Sequence, residues 1–117
     1  MSGIANGVNA KVVEFESFGG GKQATISNSG STHVIMLVIG ISTESTLKCA
    51  FAALLSGSAV ASKIMDLATA GSNTTVSASG KTITIQNKTS SSTMHLKGII
   101  FNNPSSVSYS VDNIPTT

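Results

Sequence analysis

An all-β fold, an antiparallel β-sandwich of about eight strands in jelly-roll-like order, is predicted by three observations. Short apolar or alternating runs recur at roughly ten-residue spacing, separated by Gly, Asn, Ser and Pro clusters of turn composition. Val, Ile, Leu, Phe and Thr supply those runs, and predicted helix content is small. No period of about 20 to 50 residues repeats, which sets aside solenoids and propellers. With 117 residues the chain has the size of one domain and enough apolar sequence for a core. Residues 9–117 form that single sandwich domain, and residues 1–8, small and polar around two glycines, read as a flexible lead.

From Lys11 onward Val13 and Phe15 alternate with Glu14 and Glu16, a first strand with one wet face. Gly19-Gly20-Gly21 breaks it. The following Lys22-Gln23-Ala24-Thr25-Ile26 reads as another strand, so the glycines lack the helix N-terminus that a phosphate-cradling loop requires. After the turn at Asn28-Ser29-Gly30-Ser31 comes His33 to Ile41, the stretch around which the chain is organised. Its lack of any outward polar residue after His33 predicts a strand buried on both faces.

Leu47 to Leu55 follows as a strand, preferred over a helix that alanine and leucine also permit at 50–55, with Leu47, Cys49, Phe51, Ala53 and Leu55 on one side of the strand. Its other side, with Ala50, Ala52 and Leu54, suits close approach by another layer or subunit. Residues 59–70 fit either a short strand or one helical turn. Thr74–Ala78 and Thr82–Gln86 form the clearest hairpin, closed by Ser79-Gly80-Lys81 with Gly80 free to take positive φ. Met94 to Phe101 starts with alternation and ends apolar on both faces. Val107, Tyr109 and Val111 then alternate with Ser108, Ser110 and Asp112 to give the last strand.

The polar surface is hydroxyl and amide rather than charge. Ser and Thr occupy 33 positions, against seven basic and five acidic residues, and every basic one is lysine. A net charge of +2 without arginine or a basic stripe argues against nucleic acid as a partner. The single cysteine, Cys49, excludes an internal disulfide framework and reads as a buried thiol. No apolar run is long enough to span a bilayer as a helix, and the first residues do not resemble a signal peptide. The expectation is a protein made in the cytoplasm without a signal peptide, with no membrane insertion, and displayed on a virion or extracellular particle surface.

Candidate chemistry is sparse. His33 and His95 stand 62 residues apart and form no metal-ligand pair, so neither metal nor cofactor is expected. A Ser/His/Asp set can be written from many serines with Asp66 or Asp112, but no Gly-x-Ser-x-Gly elbow accompanies it. Glu14 and Glu16 share a strand face at a separation open to a glycan-cleaving pair, but a solvated strand face is the preferred explanation. The sequons at Asn73 and Asn87 are a chance pattern in so Ser/Thr-rich a chain. No enzyme is expected.

The run Ser72–Lys88, with its Thr-Ile-Thr-Ile-Gln-Asn segment, a Ser/Thr loop and the apolar Met94–Phe101, resembles the distal receptor-binding domains of bacteriophage tail fibres and baseplate proteins. The resemblance spans residues 10–111. It implies a homotrimer whose outer loops touch a cell-surface glycan or protein, and it carries over no catalytic residue. The surplus of apolar strand residues independently calls for a homo-oligomer, with Ile35, Leu37, Ile39, Ile99 and Phe101 as its interface. Asn28, Ser31, Asn73, Thr89 and Ser91 are the candidate ligand-binding loop residues. A capsid decoration or head-fibre protein without a receptor, and a glycan-cleaving enzyme, are the alternative functions.

Overall fold

The structure, a computed structural model, describes residues 10–42, 46–57, 63–69, 73–89, 92–101 and 104–115, with the backbone alone at 63 and 66–69. The expected flexible lead at 1–8 lies outside them. Among the described residues nine strands run in order: β1 Ala10–Glu14, β2 Lys22–Asn28, β3 Val34–Ser42, β4 Leu47–Leu55, β5 Lys63–Thr69, β6 Thr74–Ser79, β7 Thr82–Asn87, β8 Met94–Phe101 and β9 Val107–Asn113. A 3-10 turn at Pro104–Ser106 leads into β9. The ambiguous segment at 59–70 therefore contributes a strand, β5, which raises the expected eight to nine.

The strands form two antiparallel sheets, β1-β8-β3-β4-β5 and β6-β7-β2-β9. The chain crosses between the layers so that β8 lies between β1 and β3 while β7 lies beside β2, a jelly-roll-like nesting. The successive β3, β4 and β5 form a meander. Alternate side chains of both sheets meet in one core: Ala24 and Ile26, Val34, Met36 and Val38, Phe51 and Leu55, Ile83 and Ile85, Leu96 and Ile100 are all buried. Cys49 belongs to this core as the small apolar thiol expected.

The two sheets share one axial sense. Asn28, at the end of β2, reaches the carbonyl of Leu55 at the end of β4, and Leu55 pairs with Val34. Ala10 at the start of β1 lies on that same end, opposite Phe101. Asn113, where β9 stops, pairs with Lys22 at the other end. The described chain thus enters at one end of the sandwich on edge strand β1 and leaves at the other on edge strand β9.

Gly80 and Gly40 are among the glycines that geometry requires. Gly80 opens the two-residue β6–β7 turn at φ 58°, as that hairpin demands. Gly40, inside β3, has no room for a side chain, because a Cβ there would sit 2.6 Å from the Cys49 sulfur.

Three sequence expectations need correction. β3 is buried on one face only, its residues alternating between core and surface, because its outer side carries no covering layer among the described residues. β8 likewise ends with Ile100 buried but Phe101 exposed. Leu47 leaves the core side of β4, since the register shifts between Gly40 and Ile41 and sets Leu47 opposite Ile41.

Candidate functional site

Cross-strand register arranges the outer face of the five-stranded sheet into four rungs, the last formed by His95, Ile41 and Leu47. The first comprises Ala10, Phe101, Ile35 and Leu54; the second, Val12, Ile99, Leu37, Ala52 and Met65; the third, Glu14, Lys97, Ile39 and Ala50. Val12 is 78% exposed, Met65 66% and Ile35 52%, while Leu37, Ile39 and Phe101 are each at least 40% exposed. Each such side chain forgoes part of the roughly 1.5–3 kcal/mol that full burial supplies. Contiguous exposed apolar patches are, in general, sites of protein, membrane or ligand contact.

All five residues expected at an oligomer interface, Ile35, Leu37, Ile39, Ile99 and Phe101, stand on this one face. Sequence reasoning missed Val12 and Met65. Val12 shares a strand side with Glu14 and Glu16, so alternation alone gives it no apolar neighbours, and Met65 lies in the segment whose period is ambiguous. The face is not smooth: one hollow of about 190 Å³ is lined by Val12, Leu37, Ile39 and Ile99. A second, of about 350 Å³, is lined by Ile35, Ala52, Leu54 and Met65.

The outer face of the four-stranded sheet has the opposite chemistry. Its rungs are Thr75, Gln86, Gln23 and Asp112; Ser77, Thr84, Thr25 and Ser110; and Ser79, Thr82, Ser27 and Ser108. Thr75 donates to the Gln86 side chain at 3.1 Å and Gln86 to Gln23 at 3.0 Å. The hydroxyls of Ser27 and Thr82 meet at 3.0 Å.

The candidate loop residues do not converge. Asn28 is 2% exposed and is corrected to a structural role. Its amide donates to the carbonyls of Thr32 and Leu55, and its side-chain oxygen accepts from the Gly30 amide and the Ser106 hydroxyl. A buried amide must satisfy its donors and acceptors internally, and here the bend before β3 supplies the partners. Ser31 is exposed beside it. Asn73 and Thr89 lie at the opposite end, because Asn87 pairs with Lys22. Asn73 is exposed, its carbonyl accepting from Lys88, whereas Thr89 turns inward to donate to buried Asn87 at 2.6 Å. Ser91 lies outside the described residues.

His33 is exposed and accepts from the Gly57 amide at 3.0 Å, while His95 lies half-buried in β8. Glu14 and Glu16 are both exposed. The Glu16 carbonyl accepts from the Tyr109 hydroxyl, whose ring packs 4.9 Å from Phe15. Burial, with the nearby Glu16 carboxylate adding to it, pushes the Tyr109 hydroxyl up to about 12. Among the described residues no three His, Cys, Asp or Glu side chains gather as metal ligands, and no helix is long and apolar enough to cross a membrane.

Compared with protein-family models, curated proteins and solved structures, the chain matches none.

Proposed function

We propose that this chain is a structural and adhesive module of a particle such as a bacteriophage, assembled with copies of itself and touching a cell-surface glycan through its uncharged polar surfaces. The observation that carries the reading is the division of the sandwich into an apolar outer face and a hydroxyl and amide outer face. Apolar surface in water favours association. Hydroxyls and amides donate and accept at once, which suits a neutral, hydroxylated ligand better than phosphate or a bilayer. The sequence resemblance to tail-fibre tips supplies the particle context.

The test is retention of fluorescently labelled protein on bacterial cells and on a glycan array. Binding to a cell-surface glycan supports adhesion; a blank array together with unlabelled cells overturns it. The commitment of Asn28 and Asn87 to internal hydrogen bonds favours a second reading, in which the module is structural only, as in a capsid decoration protein. Tight binding to assembled capsids with no binding to cells selects that alternative.

A further inference from the structure

We infer that the outer face of the five-stranded sheet is covered by a second copy of this chain, in a two-fold pairing that lays β8 of one protomer over β4 of the other. The inference deepens the assembly half of the function proposed above and does not depend on the adhesive half. Five strands of five to nine residues present roughly 600 Å² in projection, and side-chain relief brings this close to the roughly 800 Å² per partner of a standard interface.

The relief of the face selects the arrangement. Along the second rung, Ile99 on β8 is large, Leu37 on β3 is central and Ala52 on β4 is small. The hollow over Ala52 is lined by Ile35, Leu54 and Met65. A two-fold axis parallel to the strands and passing over β3 brings β8 onto the partner's β4. Ile99 then enters the partner's Ala52 hollow while the reciprocal contact forms on the other side of the axis. An axis across the strands would instead set Ile99 on Ile99 and Ala52 on Ala52, leaving one contact overfilled and the other empty. On the third rung Glu14 stands beside Lys97, whose exposed side chain also lines the hollow between Val12, Leu37, Ile39 and Ile99.

Light scattering on the full chain at micromolar concentration is the first measurement, with a dimer expected. Leu37→Lys, at the centre of the face, should weaken the dimer at least about thirtyfold while circular dichroism stays unchanged. The pairing itself is tested by the double variant Ala52→Cys and Ile99→Cys under mild oxidation. Within one chain these positions are two strands apart, beyond disulfide reach, so only the inferred pairing forms a covalent dimer. Should the double variant alter the core, the two single-cysteine proteins mixed together provide the same readout as a heterodimer.

A covalent dimer formed by the double variant and the mixture, with little from either single variant alone, supports the inference. A monomer overturns both the pairing and the assembly half of the proposed function. A trimer, or a dimer that resists this cross-link, overturns the pairing and leaves assembly standing.

Discussion

The two outer faces of this sandwich are built on the same ladder and carry opposite chemistry. Four rungs of cross-strand neighbours line the five-stranded sheet and three line the four-stranded one. On the five-stranded sheet they hold Val12, Ile35, Leu37, Ile99 and Phe101; on the four-stranded sheet they hold Ser27, Thr25, Thr84, Ser77 and Ser110. Thr suits a pleated surface much as Val does, since both are β-branched, so strand propensity cannot account for the difference. Exposure to water can. A face of Thr and Ser is satisfied by solvent, whereas a face of Ile and Leu is at lower free energy when something dry lies against it.

The largest expected effect breaks the contrast by making the apolar face resemble the polar one. Ile35→Thr, Leu37→Thr and Ile39→Thr together should weaken self-association at least about a thousandfold, measured by sedimentation velocity. An unchanged sedimentation profile would show that the two faces do not differ in this function. The core side of β3, with Val34, Met36 and Val38, is untouched by these changes.

Next come the ends of the sandwich, where buried and exposed asparagines can be compared. Asn87→Ala and Asn28→Ala should each cost about 1–3 kcal/mol in urea unfolding, because they strand the carbonyls and donors that the amides satisfy. Asn73→Ala at an exposed position should stay within about 0.5 kcal/mol. Equal costs at all three would remove the distinction between structural and surface loop residues.

A smaller effect lies at the flank where Phe15 and Tyr109 join the sheets. The folded chain holds the Tyr109 proton until pH about 12, whereas the unfolded chain releases it near 10. Between those values the unfolded state binds fewer protons, so stability falls as pH rises. Below pH 10 this contribution is fully present. Tyr109→Phe should flatten that alkaline decline in a pH series of thermal midpoints.

The smallest change in stability is expected on the polar face. Thr25→Val with Thr84→Val should alter unfolding free energy by no more than about 0.5 kcal/mol per site. The same pair should lower solubility in ammonium sulfate, since it creates a second apolar patch. Unaltered solubility would mean that hydroxyl content is not what keeps this face wet.

Much of the fold was legible in the sequence because alternation is strong. Ile83 and Ile85 point inward on β7, Val76 and Ala78 pack against the core from β6, and Gly80 turns the chain between them. The apolar outer face was legible as a surplus of apolar side chains on β3 and β8. Its exposure was not, because a continuous apolar run looks the same whether its outer side is covered or open. Leu47 was misplaced because a one-residue register shift reverses the face of everything beyond it. Asn28 was misread because turn composition identifies a bend but does not reveal whether its amide points out or holds the bend from within.

The diagonal path of the chain bears on how the module responds to tension. A pull applied at Ala10 and Asn113 runs along the strands, from one end of the sandwich to the other. The ladders that hold the edge strands, β1 on β8 and β9 on β2, have hydrogen bonds perpendicular to that direction. Load is therefore shared across each ladder in shear, with many bonds resisting together instead of parting one by one as in a zipper. A sandwich with this geometry resists stretching between Ala10 and Asn113 far better than peeling at one of them.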